Sequence, residues 1–486
     1  MVLPDAQQTA VDHTRAPERR WLALVVIALA QLMVALDATI VNIALPSAQG
    51  ALGFSDSDRQ WVITAYTLSF AGLLLLGGRI ADHIGRRRAF LAGLAGFAAA
   101  SAFAGAATGF EMLVAGRALQ GAFAALLTPT ALSMVAVTFT EPHERAKAFG
   151  VYGAVASSGG AAGLLLGGAL TEYLEWRWCL YVNVAIAGCA LVAGRAVLPS
   201  PPVAAGSKID LIAGGLITSG LAAVVYGCSQ AVRHGWGSPE VLGPLAAGLV
   251  AISLFAVRQA HSASPLLPPH ILANRPGAGA YLAVAAAVVG SFGMFLMLTY
   301  YFQVILHYSP LRAGVAFLPL TVAVSASAYG LGSRLLTRVA PGKLIVPGLL
   351  VAAAGLGLLT RIDASSGYLT LILPAQVLLG AGMGCVFTPA ISVATSGVEP
   401  RNAGVAAAAA TTSMQVGGSV GTAVLNTIAV TATASYLSSH AGSLTAAPDA
   451  LVHGYATAIG WAAVLLAAVA VMAMVLIRSP RLNPNP

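Results

Sequence analysis

Asp37 is the sole charged residue between Trp21 and Gly53. It stands in LMVALDATIVNIALP (32–46), and one other charge, Arg117 in LVAGRALQGAFAA (113–125), is set as deeply in an apolar run. A charge in hydrocarbon costs roughly 3 kcal/mol or more, so it pairs or faces water. Asp37 lies nine residues before Pro46 and Arg117 six after Glu111, about 13 Å and about 9 Å of helix. Runs crossing in opposite directions would put both at similar depth in the outer half. The chemistry open to such a pair is reversible protonation. A guanidinium favours the carboxylate, loss of water favours the neutral acid, and the balance changes with water access. Asp37 and Arg117 are therefore expected to face a central cavity, to interact directly or through water, and to carry a proton. A permanently ionised structural pair is the alternative.

The elements that position them follow from composition. The 486 residues are 58% hydrophobic and only 9% charged, with mean hydropathy +0.82. Soluble domains carry about 25% charged residues, so lipid is the expected solvent. The apolar runs are ~20 residues long without period-two alternation, which selects helices over a barrel. Fourteen are read: 21–45, 60–78, 89–107, 112–138, 146–170, 178–198, 210–230, 240–258, 278–305, 313–333, 344–361, 368–396, 403–433 and 455–477. Thr128-Pro129 and Thr388-Pro389 are expected to break or bend the fourth and twelfth.

With the N-terminus in the cytoplasm, nineteen of the 25 Lys and Arg fall inside and five outside, leaving Arg117. The outside five include Arg59. Acids divide evenly, leaving Asp37. Bias in the basic residues alone is the positive-inside pattern. The net charge of +8 is thus scattered in short clusters at one face, which excludes nucleic acid as a partner. The N-terminal stretch is polar and mixed in charge, and reads as a cytoplasmic tail rather than a signal peptide. The four cysteines form no CxxC and read as packing residues.

The chain repeats itself. LLTPTALSMV (126–135) matches VFTPAISVAT (386–395), Glu141-Pro142 matches Glu399-Pro400, and GGAAG (159–163) matches GGSVG (417–421). GGRIADHIGRR from Gly77 has a fainter counterpart, LGSRLLTRVAPGK, from Leu331. Matches in one order at nearly one offset indicate duplication. Spans one to six map onto nine to fourteen, as parallel repeats related by an axis along the membrane normal. The expected organisation is a cytoplasmic tail (1–20), an N-terminal six-helix bundle (21–198), a two-helix insert with flanking loops (199–277), a C-terminal six-helix bundle (278–477) and a cytoplasmic tail (478–486).

Over nearly its whole length the chain resembles the major facilitator superfamily, and within it the fourteen-span drug:proton antiporters of the EmrB/QacA type. LDATIVNIALP (36–46) is similar to that group's first-span signature, and GRIADHIGRRRAF (78–90) to the superfamily's loop between spans two and three. LVAGRALQGAFAA is similar to the fourth-span signature, GGAAGLLLGGAL (159–170) to the fifth-span antiporter motif, and EWRWCLYVNVAIA (175–187) is also typical. The chain departs from the family at Leu164, where Gly-Pro is common. The resemblance implies an all-α integral membrane protein with 14 transmembrane helices in a 6 + 2 + 6 arrangement. It implies a conformational latch at Gly78, Arg79, Asp82, Gly85, Arg86 and Arg87. Gly159, Gly163, Gly167 and Gly168 form its antiporter-motif helix. Small residues four apart also suit close helix packing.

Polar and aromatic residues inside the spans are candidates to line the cavity: Gln31, Asn42, Tyr66, Gln120, Tyr152, Tyr300, Gln303, Gln376 and Gln415, with Trp61, Asn183, Tyr301 and Asn426 beside them. As a set they describe an amphipathic cavity for hydrophobic or cationic drugs. The expected activity is proton-coupled export of such molecules by alternating access. A proton-linked importer or narrow-substrate carrier of the same fold is the alternative, kept open by Leu164. No nucleotide-binding loop or metal-ligand spacing occurs in the sequence, so an enzyme is not expected and the proton gradient serves in place of a cofactor. The expected partners are substrate, protons and lipid. The expected setting is a bacterial inner or plasma membrane, with both termini cytoplasmic and the chain a monomer.

Overall fold

The computed structural model describes residues 17–139, 141–199, 210–262, 265–267, 274–332, 335, 338–395, 403–440 and 446–477. Residues 1–16 of the expected N-terminal tail, the whole expected C-terminal tail, and the basic residues Lys208, Arg334 and Arg401 lie outside them, whereas residues 17–20, expected in the tail, begin the first helix. Among the described residues every regular element is helical, as a backbone in lipid must be to satisfy its own polar groups.

The N-terminal bundle contains α1 (Pro17–Leu52), α2 (Gln60–Ile84), α3 (Arg86–Gly105), α4 (Phe110–Thr138), α5 (Pro142–Tyr173) and α6 (Trp178–Val197). The insert is α7 (Leu211–His234) and α8 (Pro239–His261). The C-terminal bundle contains α9 (Arg275–Tyr300), α10 (Pro310–Ala316), α11 (Leu318–Ser327), α12 (Gly342–Leu359), α13 (Leu373–Thr395), α14 (Ala403–Ser439) and α15 (Ala446–Leu476). Among the described residues thirteen helices are long and apolar enough to cross a membrane, and α2, bent by 57° between Leu74 and Leu76, makes a fourteenth if its two parts are one span. Large apolar side chains such as Val192, Leu249, Val322 and Met474 are exposed on the outside of the bundle, where acyl chains are the natural solvent.

We call the end where α1 leads into α2 the upper end, and the end where α2 turns into α3 the lower. The repeat is visible in the packing. α1 packs on α5 and α6 as α9 does on α14 and α15, and α4 packs on α2 and α3 as α13 does on α11 and α12. Glycines enforce the equivalence. A Cβ on Gly163 would sit 2.7 Å from the Leu36 carbonyl oxygen of α1, and one on its repeat partner Gly421 would sit 2.7 Å from the Val289 side chain of α9. Helix backbones this close meet only where side chains are absent. The insert straddles both halves, with α7 against α2 and α14 in an apolar cluster of Leu68, Ala71, Leu221, Val225, Cys228 and Ala423.

Two expectations need correction. α4 and α13 run unbroken through Pro129 and Pro389. Proline removes one intrahelical hydrogen bond, and packed neighbours can hold the rest of the helix together, so neither proline breaks its helix. The sharp bend lies in α2 instead. Arg59, read as an outer-loop residue, is buried at the start of α2 with 2% of its surface exposed.

Candidate functional site

Asp37 is placed by α1, Arg117 and Gln120 by α4, Asn183 by α6 and Ser101 by α3. One Asp37 carboxylate oxygen accepts from an Arg117 guanidinium nitrogen at 2.6 Å. The other accepts from Asn183 Nδ2 at 2.7 Å and Gln120 Nε2 at 3.1 Å. Gln120 is itself tied down: its Nε2 donates to Ser101 Oγ at 2.7 Å and its Oε1 accepts from Arg117 at 2.9 Å. Arg117 Nε donates to the Val62 carbonyl of α2 at 3.1 Å, and its guanidinium lies 4.5 Å from the centroid of the Tyr66 ring. Asp37 is 0% exposed and Arg117 2%. Five helices therefore converge on one carboxylate, which is both paired and fully hydrogen-bonded. That is the condition for keeping a charge in a low-dielectric interior.

The expected contact between the two charges is present. The expected exposure of Asp37 to the cavity is not. A cavity of about 20 Å³ between the halves is lined by Ala38, Val41, Asn42, Ile63, Tyr66, Thr67, Arg117, Phe292 and Gln415. Arg117 and Tyr66 reach it, and Asp37 lies outside this lining. Charge depth could be read from residue counts; which of the pair faced the opening depended on the rotation of α1 against α4.

The other candidates divide. Asn42, Tyr66 and Gln415 line the cavity, and Gln120 belongs to the charge network. Tyr152 instead donates to Gln31 Oε1 at 2.5 Å, joining α5 to α1. Gln303 Nε2 donates to the Ile43 carbonyl at 2.9 Å, and Tyr300 donates to Gln49 Oε1, both joining the halves. Gln376 is fully buried in α13, and neither amide atom has a hydrogen-bond partner. Asn183 grips Asp37 directly. Ser101 went unread in the sequence, because one serine in an apolar run carries no positional signal. Arg59 did carry a signal, being an arginine on the face that the charge bias avoids.

The antiporter-motif glycines face two ways. Cβ atoms on Gly159 and Gly167 would meet Ala35 and Ile40 of α1 at 2.8 and 2.9 Å. One on Gly168 would meet the Leu311 Cα of the opposite half at 2.6 Å. α5 is thus wedged between the Asp37 helix and the C-terminal bundle. At the lower end Gly85 has φ +92°, a region open to glycine, and this ends α2. Asp82 pairs with Arg86 at 3.4 Å. Arg87 donates to the Arg195 carbonyl at 2.5 Å, and Arg79 to that of Pro265 at 2.8 Å. Gly78 lies against Pro129 of α4.

The family model of the Major Facilitator Superfamily matches residues 27–422. The chain belongs to that superfamily. Within it the chain is 51% identical over 481 residues to the puromycin resistance protein of Streptomyces alboniger, covering 98% of this chain and 95% of that one. It is 39% identical over 466 residues to the cephamycin export protein of Amycolatopsis lactamdurans, covering 95% and 93%. Among solved structures it resembles a bacterial homolog to the human lysosomal transporter Spinster, in an inward-facing and occupied conformation. That match has TM-score 0.70 at 16% identity, over 95% of this chain and 97% of that one. This last likeness concerns the fold alone. The chain is therefore a multi-pass membrane transporter of the Major Facilitator Superfamily.

Proposed function

We propose that this transporter exports an antibiotic-like small molecule, hydrophobic or cationic, in exchange for protons taken up at Asp37. The relatives named for puromycin resistance and cephamycin export support the substrate class. The carrying observation is the buried Asp37–Arg117 pair. A carboxylate satisfied only by Arg117, Gln120 and Asn183 is stable as an anion while those donors hold. Rearranging one of them as the halves move would let it accept a proton.

α5 supplies the mechanical link. Thr39 of α1, two residues from Asp37, donates to the Gly160 carbonyl of α5 at 3.1 Å. A shift of α5 against the C-terminal bundle acts on the Asp37 helix through glycine contacts that leave no slack. The positive-inside bias puts both termini and the Gly85 turn in the cytoplasm of a bacterium, and the upper end outside. The energy comes from the proton gradient with no cofactor, and a monomer contains both halves.

The test is uptake into proteoliposomes with an imposed inside-acid gradient, using puromycin and a lipophilic cationic dye. Wild type should concentrate at least one of them, and Asp37→Asn should bind but not concentrate it. Equal accumulation by both proteins would make Asp37 purely structural.

A further inference from the structure

Two arginines are among the largest fully buried side chains, Arg117 and Arg59, and only the first belongs to the proton site. Arg59 begins α2 in the N-terminal half, yet its guanidinium is seated among residues of the other half. It lies 4.0 Å from the Tyr300 ring centroid and 5.7 Å from that of Tyr455. Its Nε donates to Asn426 Oδ1 of α14 at 3.0 Å. Its counter-ion, Asp56, is 3.5 Å away with its side chain 52% exposed. The surrounding bonds also cross the seam. Asn426 Nδ2 donates to the Asp56 carbonyl at 3.1 Å and Tyr300 donates to Gln49 Oε1, while within the N-terminal half Gln49 Nε2 donates to Asp56 Oδ1 at 2.8 Å.

Among the described residues, the hydrogen bonds joining the halves gather in the upper part of the molecule. Besides this ring they include Gln303 to Ile43, Leu311 N to Glu172 Oε2 at 3.0 Å, and Ser419 to Thr67 at 2.8 Å. The upper end is therefore shut, with Arg59 at its centre.

We infer that Arg59 is a positioning residue of the transport cycle, a reversible clasp that holds the outward end closed until the halves rock apart. The inference rests on the alternating-access reading above. An arginine suits the task because its two states are both satisfied. In the closed state, stacking on tyrosine and a charge-assisted bond offset the loss of water. In the open state, water returns to the guanidinium as the cage separates. A buried leucine would gain nothing from opening, and a lysine has neither the planar face nor the fixed fork of donors.

The experiment uses the full chain in lipid nanodiscs with Cys179, Cys189, Cys228 and Cys385 replaced by serine. Spin labels are attached at Tyr173→Cys and Leu369→Cys, which lie at the upper end of opposite halves, 71% and 72% exposed. Pulsed electron resonance then reads the distance between them. Wild type should show one dominant distance. Arg59→Ala should raise the ratio of a longer, open population by at least about tenfold, the lower bound for losing one cation–π contact and one charged hydrogen bond. Asn426→Ala should move it the same way from the other half, and Arg59→Lys should fall between. Wild-type distributions in both alanine variants would overturn the clasp, even if one variant is too poorly folded to use alone. Puromycin uptake in parallel separates the two claims. Longer distances in Arg59→Ala with no proton-driven uptake by wild type would sink export and leave the clasp standing. Uptake by wild type with unchanged distances would sink the clasp alone.

Discussion

Gly163 of α5 lies so close to Leu36 of α1 that a Cβ would sit 2.7 Å from the Leu36 carbonyl and 2.1 Å from Thr39 Oγ1. The next residue after Leu36 is Asp37, so the motif helix and the proton site share one packing surface. Gly163→Ala should push α5 off α1 and lower gradient-driven uptake at least about tenfold, with a destabilisation of about 1–3 kcal/mol from overpacking. Gly150, on the same helix, has nothing within 4 Å. Gly150→Ala should be neutral or stabilising by up to about 1 kcal/mol. Thermal unfolding of the two variants together checks the contrast; equal changes would show that the close approach at Gly163 does not set the effect.

The charge pair is tested by a double-mutant cycle. Asp37→Asn leaves Arg117 buried without its counter-ion, a loss of about 3–5 kcal/mol for such groups. Arg117→Gln strands Asp37 in the same way. The double variant should lose far less than the sum, with a coupling of about 2 kcal/mol or more in denaturation midpoints. Additive losses would show that the two side chains do not act on each other.

Asn183 offers Asp37 one donor and has no partner for its own Oδ1. Asn183→Leu should cost about 1–3 kcal/mol by stripping a hydrogen bond from a buried carboxylate. It should also alter the pH profile of transport, while Gln376→Leu, which removes an amide with no partner, should leave that profile as in wild type. A profile unchanged in Asn183→Leu would reduce Asn183 to packing.

Two surface carboxylates contribute a small acid-sensitive part of the stability. Hydrogen bonds from the Ser365 side chain and backbone hold Asp363 below the usual carboxylate range, and one from Arg258 does the same for Asp210. Because both folded values are depressed, their contributions are present above the unfolded value of about 3.9 and fade as pH falls through the folded values. Both groups are solvent-screened, so the effect is small. Wild type should melt slightly above Asp363→Asn, by a constant margin, from pH 8 to pH 5, and that margin should close below pH 4.

Composition and period by themselves determined the solvent, the helices and their approximate places, because a lipid-spanning helix writes itself as an uninterrupted apolar run; several ends, such as Leu52, Ile84 and Ala446, lie six or more residues beyond the expected limits. The repeat could be read in the same way, since Gly159–Gly163 and Gly417–Gly421 mark the same close approach in each half. The rarity of charge pointed to Asp37 and Arg117, and counting residues to their common depth. What only the tertiary structure decided was rotation and partnership. Asp37 turned out to be sealed behind Arg117 and Tyr66, Gln31 to meet Tyr152, and Arg59 to enter the opposite half. Helix rotation is set by the sum of many weak packing contacts between segments distant in sequence, and in uniformly apolar runs no local pattern records it.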